Sequence, residues 1–256
     1  MGVDRPGNAV IVTGGASGIG RGCAHAVAEV GRPVAVWDTN EQQATAVAQE
    51  LLDTFDVRAC VARVDVRNAS TFDAALATTA KALGPIGGLV HSAGVVSLED
   101  VDRIDDEAWD RVVDVNLRAL ALLARAVLPE LRASAPGSAI VGIASVEAIV
   151  GDGRIPAYCA SKAGMLGLVR SLAVGLAPEG IRVNTVCPGY VETPMTAAVL
   201  RSPDARARLE RQVPLRRIAT PADVGRVVRF LLSEDAGYVT GTEVVVDGGL
   251  TRSLNG

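Results

Sequence analysis

Tyr158 and Lys162 stand four positions apart in the stretch "AYCASKAGMLGLVRSLA". On an α-helix that spacing puts both side chains on one face, one turn apart. A free phenol titrates at about pH 10, so tyrosine works as an acid or base near neutrality only where positive charge favours its anion. An ammonium group one turn away is such a charge. Ser145 lies thirteen residues before Tyr158 and closes the apolar run "AIVGIAS". Its hydroxyl could hold a substrate oxygen, or could simply end a strand. Without a histidine or carboxylate in a comparable motif it does not read as an activated nucleophile, which disfavours acyl transfer.

A second group of residues could hold a phosphate. In "AVIVTGGASGIGRG" an apolar run ends at Thr13, a turn carries Gly14, Gly15, Gly18 and Gly20, and an apolar helix pattern follows. Glycines let backbone N–H groups approach a pyrophosphate, whose charge is favoured at a helix N-terminus. An ordinary glycine-rich strand-to-helix turn would read the same way, because the spacing is Gly-x-x-x-Gly-x-Gly. The next strand pattern, "PVAVWD", ends in Asp38, placed to take both ribose hydroxyls of an adenosine and to repel a 2′-phosphate. No Arg or Lys stands at Ser17, Thr39 or Asn40 to neutralise that phosphate. This favours NAD over NADP; the other reading of Asp38 is a solvated turn carboxylate.

These residues need a frame. The runs "AVIVT", "PVAVWD", "VRACVARVD", "GGLVHSA", "SAIVGIAS", "IRVNTVC" and "TEVVVD" alternate with helical stretches. Near-continuous apolar strands between helices predict a central parallel sheet covered on both faces. One helix is expected through "IDDEAWDRVVDVNLRALALLARAVLPELRAS", and a long insertion follows the sixth strand, a candidate lid around 190–220. Its Met195, Leu200, Leu209, Val213 and Leu215 alternate with Arg201, Arg206, Arg208, Arg211, Arg216 and Arg217. Those arginines could favour an acidic substrate or form a solvated helix face. The rest of a substrate wall is expected from "VVSLED" and "VEAIVGDGRI".

Composition removes several classes. The chain has 256 residues, 49% hydrophobic and 21% charged, with net charge −4, and carries no dense basic field for nucleic acid. Cys23, Cys60, Cys159 and Cys187 form no Cys-x-x-Cys pair, which fits a reduced, cytoplasmic setting. His25 and His91 stand far apart, so no metal site is expected. The start "MGVDRPGNAVIVTGG" is too briefly apolar for a secretory segment or a membrane span, and Pro6 stands where a myristoylation signal wants Ser or Thr.

"TGGASGIG", the "NL" pair preceded by Val115, Ser145 and "YCASK" together resemble the short-chain dehydrogenase/reductase family in its compact form of about 250 residues. The resemblance covers nearly the whole chain. It implies a single domain over 1–256: an α/β, Rossmann-type, doubly wound parallel sheet of about seven strands with helices on both faces. It implies a catalytic tetrad of Asn116, Ser145, Tyr158 and Lys162, with Asn116 holding a water in a proton relay to Lys162. From the residue alone, an interior helical Asn could equally be locally bonded. Cofactor contacts implied by the family fall on Gly14, Ser17, Gly18, Ile19, Gly20, Asp38, Asp65, Val66, Ala93, Gly94, Tyr158, Lys162, Pro188, Gly189, Val191 and Thr193. A Pro-Gly turn before a helix capped at Thr193 would explain "CPGYVETPM" more simply. Where many relatives carry Asn-Asn-Ala-Gly this chain reads "HSAG", which casts His91 as a buried hydrogen-bonding substitute.

The expected activity is NAD-dependent interconversion of a secondary alcohol and a ketone on a small-molecule substrate, with no membrane partner. The alternatives are an NADP-dependent 3-oxoacyl-type reductase and a non-catalytic NAD(H)-sensing regulator. The helix bearing Tyr158 is lined with small residues, and in the family it contributes to tetramers, so a homo-oligomer is expected.

Overall fold

The computed structural model describes residues 8–252, so the reading of the Met1–Pro6 start lies outside the described residues. Seven strands, β1 (Ala9–Thr13), β2 (Val34–Asp38), β3 (Ala59–Arg63), β4 (Ile86–His91), β5 (Ala139–Ile143), β6 (Arg182–Pro188) and β7 (Glu243–Val246), form one sheet. Their order is β3-β2-β1-β4-β5-β6-β7 and all neighbouring pairs are parallel. Each is one of the apolar runs above. Alternation along β1 divides the core: Ala9 and Ile11 join one buried cluster, Val10 and Val12 the other.

The helices are α1 (Gly18–Ala28), α2 (Glu41–Phe55), α3 (Phe72–Leu83), α4 (Asp106–Val113), α5 (Ala119–Ala133), α6 (Pro156–Leu176), α7 (Ala197–Leu200), α8 (Pro203–Gln212) and α9 (Pro221–Leu232). The apolar sides of α3, α5 and α6 (Phe72, Leu123, Met165) cover one face of the sheet. Those of α1, α2 and α9 (Val27, Leu51, Val228) cover the other. β1 pairs with β2 on one side and β4 on the other, so the chain leaves in opposite directions there and opens a crevice beyond the carboxyl ends of the strands.

The helix expected between residues 104 and 134 runs without interruption over Asp106–Ala133, α4 and α5 being joined by a π-helical turn, Asp114–Arg118, centred on Asn116, which was not expected. The insertion after β6 contains α7 and α8.

Candidate active site

A cavity of about 770 Å3 opens at that crevice. Gly18 and Gly20 line one end of it, and Ser145, Tyr158 and Lys162 line the middle. They come from three elements: the first pair from the first turn of α1, Ser145 from just beyond β5, the last two from α6.

The glycine turn is built for close approach. Gly18 opens α1 at φ +49°, a conformation that side chains disfavour, and a Cβ on Gly20 would lie 2.0 Å from the Gly14 carbonyl oxygen. Ser17 caps α1 without a side-chain bond to the helix, so the first N–H groups are left for another acceptor. At the tip of β2, the Asp38 carboxylate accepts from Ala16 N at 3.1 Å and from Asn40 N at 2.9 Å, which ties it to the same turn.

Lys162 is 4% exposed and donates from Nζ to the Ile143 carbonyl at 2.6 Å. Nζ lies 5.6 Å from the centroid of the Tyr158 ring. Burial pushes the Lys162 pKa down to about 8, and pushes the Tyr158 phenol up to about 12, partly offset by the Ser145 hydroxyl. In this arrangement burial dominates the phenol, and the Lys162 ammonium commits one of its hydrogens to a carbonyl. Ser145 Oγ accepts from Glu147 N at 3.2 Å, which orients the hydroxyl at the start of a 3-10 turn, Val146–Ala148.

A family model described as Enoyl-(Acyl carrier protein) reductase matches residues 14–251. The chain belongs to the short-chain dehydrogenase/reductase family. It is 38% identical to cis-4-hydroxycyclohexanecarboxylate dehydrogenase of Sinomonas cyclohexanicum, over 94% of this chain and 95% of that one. Among solved structures it is similar to a short-chain type dehydrogenase/reductase from Mycobacterium marinum, with TM-score 0.91, 31% identity and 98% of each chain covered. It is also similar to the L-sorbose reductase of Gluconobacter frateurii complexed with NADPH and L-sorbose, with TM-score 0.91, 28% identity, 99% of this chain and 100% of that chain covered. As a family member the protein is an oxidoreductase that takes a nicotinamide cofactor, NAD or NADP, and a small-molecule substrate. The glycine cradle and the free N-terminal amides of α1 suit the pyrophosphate of such a cofactor.

Within this short-chain dehydrogenase/reductase site, Ser17, Ile19, Gly94, Pro188, Gly189, Val191 and Thr193 also line the cavity. Gly14, Asp38, Asp65, Val66, Ala93 and Asn116 do not. Gly14 shapes the turn from behind, with a Cβ there lying 2.8 Å from the Ala93 backbone. Asp65 is held by Arg67, whose guanidinium keeps its carboxyl below the ordinary value. Thr193 Oγ1 shares a hydrogen bond with Thr196 Oγ1 at 3.2 Å, inside the segment that the simpler reading assigned to a turn. Asn116 is fully buried, and its amide clamps the chain beyond β4: Oδ1 accepts from Val95 N at 2.9 Å, and Nδ2 donates to Val95 O and to Ser161 Oγ, both at 3.0 Å. A Cβ on Gly94 would stand 3.4 Å from Asn116 Oδ1 and 3.6 Å from Lys162 Nζ, so glycine leaves the gap between those two polar atoms clear.

His91 is buried at the end of β4. Nε2 lies 3.1 Å from the Val115 carbonyl, which can only accept, so Nε2 carries the proton. Nδ1 is left to accept from the Thr13 hydroxyl at 3.0 Å, and Thr13 Oγ1 in turn accepts from Ala93 N at 3.3 Å. Burial and the Lys162 charge push the His91 pKa down to about 3, so the ring is neutral.

None of the six arginines named in the 190–220 segment lines the cavity; Met195, Thr196 and Val199 do. Arg206 pairs with Glu192 and Glu210, and Arg217 with Asp223. The guanidinium groups at the cavity are Arg103 and Arg154, outside the 190–220 segment. Arg154 falls in the "VEAIVGDGRI" stretch expected as substrate wall, whereas Arg103, just past "VVSLED", had no signal in the sequence.

Proposed function

We propose that the protein is an NAD-dependent oxidoreductase that interconverts a secondary alcohol and a ketone, with Tyr158 as the proton donor and acceptor. The observation that carries this reading is the convergence of Ser145, Tyr158 and Lys162 on one cavity with the glycine turn. The likeness to a hydroxycyclohexanecarboxylate dehydrogenase and a sorbose reductase supports the alcohol–ketone chemistry.

Ser145 holds the substrate oxygen by hydrogen bonding. Tyr158, protonated at neutral pH, gives its proton to that oxygen when a ketone is reduced and takes it back when an alcohol is oxidised. When bound, the nicotinamide supplies or accepts the hydride and, oxidised, adds a positive charge beside the phenol. Lys162 contributes the other positive charge. Asn116 fixes the Val95 backbone and joins the proton relay toward Lys162 through the gap at Gly94. Ser17, Gly18, Ile19 and Gly20 would hold the pyrophosphate, Asp38 the adenosine ribose and Asp65, next to Val66, the adenine edge; Ala93 and Gly94 would let the cofactor ribose lie close, and Pro188, Gly189, Val191 and Thr193 would hold the nicotinamide half.

Preference for NAD is supported by Asp38, whose charge faces the turn with no Arg or Lys at 17, 39 or 40. Segment 190–220 serves as the substrate lid of a single domain, supported by Met195 and Val199 on the cavity wall. A cytoplasmic setting is supported by four cysteines that remain free thiols.

The test is a Tyr158→Phe variant titrated with NADH and NADPH beside the wild type and assayed on secondary alcohols and ketones. Turnover falls by a factor of about 1000 or more while NADH affinity stays within about threefold, and NADH binds at least about tenfold tighter than NADPH. Activity above a few per cent would remove Tyr158 from the proton transfer, and equal NADPH affinity would remove the role given to Asp38.

A further inference from the structure

Besides Lys162, five charged side chains line the cavity: Asp100, Arg103, Glu147, Asp152 and Arg154. Four of them are already paired. Arg103 Nη2 donates to Asp100 Oδ2 at 3.1 Å, while Arg154 donates from Nε to Asp152 Oδ1 at 3.0 Å and from Nη2 to Oδ2 at 2.6 Å. The Glu147 carboxylate, half-buried on the cavity wall, has no hydrogen-bond or ion-pair partner among the described residues. Burial and the neighbouring Asp152 charge hold its carboxyl above the ordinary value. A carboxylate on the cavity wall that the fold itself does not engage is free to accept from whatever occupies the cavity.

The position of this carboxylate is set by the group that meets the substrate oxygen. Glu147 N donates to Ser145 Oγ at 3.2 Å within one short turn, so the two side chains enter the cavity two residues apart from a single rigid unit. A ligand whose reacting oxygen lies at Ser145 and Tyr158 therefore presents its adjoining atoms to Glu147. An anionic group there would meet a second negative charge. A cationic group would lie among Lys162, Arg103 and Arg154, whose own partners are already engaged. A hydroxyl donates to the carboxylate and avoids both penalties.

Resting on the oxidoreductase reading, we propose that Glu147 is a specificity residue that accepts a hydrogen bond from a second hydroxyl on the carbon next to the reacting one, so that the substrates are neutral vicinal diols, polyols and the matching hydroxyketones. Val96, Leu98, Ile155 and Met195 cover the carbon skeleton on the remaining wall.

Binding can be read apart from turnover. Ligand-observed NMR titrations of 2,3-butanediol and 2-butanol, with and without saturating NADH, are run on the wild type, Glu147→Ala and Glu147→Gln. The wild type binds the diol about tenfold or more tightly than the mono-alcohol, the size expected for a hydrogen bond to a charged acceptor. Glu147→Ala brings the two affinities within about threefold, and Glu147→Gln, whose amide oxygen still accepts, retains an intermediate preference. Equal affinities in the wild type, binding of neither alcohol, or a preference that survives Glu147→Ala overturns the proposal. A wild type that prefers the diol through Glu147 but oxidises neither alcohol with NAD or NADP counts against the oxidoreductase reading and leaves the recognition role standing.

Discussion

At the level of single residues, desolvation sets the charge of the groups around the crevice. His91 illustrates the consequence for stability. Its native pKa is pushed down to about 3, against an ordinary value of about 6.5 in the unfolded chain. The native ring stays neutral as pH falls from 7 to 5, whereas the unfolded chain takes up a proton, so folding stability declines over that window. The expected loss from this one group is about 2 kcal/mol. Urea unfolding of the wild type and Histidine-to-asparagine variant His91→Asn at pH 7 and pH 5 checks it: the variant loses about 2 kcal/mol less than the wild type between the two conditions. Equal losses would mean that His91 does not stay neutral in the fold. Residue types and spacing were enough to nominate Ser145, Tyr158 and Lys162, because that constellation is compact along the chain. They were not enough to fix the phenol's charge state, which depends on how deeply the neighbouring strands bury it, nor to single out Glu147, whose isolation depends on which carboxylates the arginines engage.

At the level of elements, α1 is held against α9 by two glycines. A Cβ on Gly225 would stand 2.4 Å from the Gly22 carbonyl oxygen, and one on Gly22 would stand 2.5 Å from the Pro221 oxygen. Backbone-to-backbone contact of that kind leaves no room for even a methyl group. Gly225→Ala is expected to lower stability by roughly 1–3 kcal/mol and, because α1 carries the glycine turn at its N-terminus, to weaken NADH binding as well. Urea unfolding and an NADH titration measure the two effects; a variant unchanged in both would show that the helices separate freely. Arginines fasten the other end of α9: Arg182 donates to the carbonyls of Leu231 at 2.6 Å and Ser233 at 3.0 Å, and Arg32 to that of Leu232 at 3.1 Å. Such cations suit the negative end of a helix dipole. The strands were legible as sequence because parallel sheets bury both faces and so write continuous apolar runs. The π turn between α4 and α5 was not, since α geometry yields there to what Asn116 reaches across space, namely Val95 and Ser161.

At the level of the whole molecule, α6 draws attention by its composition. With the 3-10 turn that follows, residues 156–179 are long and apolar enough to cross a membrane. Its buried side, with Met165, Leu166, Val169 and Ala173, accounts for that character by packing on the sheet. On the other side Ala160, Ala163, Gly167 and Ser171 are exposed, and Val174 is 79% exposed. A second copy of the chain could lie close along such a surface. Sedimentation velocity at micromolar concentration is therefore expected to give a species larger than the monomer, in keeping with a homotetramer, and a single monomeric boundary would refute it.

The wide turn at Asp114–Arg118 also restricts how this chain can vary in length. A π turn contains one residue more than α geometry would use. Removing any one of the five would let α4 and α5 fuse into a regular helix and abolish the wide turn that presents Asn116 to Val95 and Ser161. Leu117, which fits against Gly164 on α6, and the clamp on Val95 could not then both be kept in place. Insertions and deletions should accordingly be absorbed by the exposed segments around 98–104 and 194–202, while the spacing across this junction stays fixed.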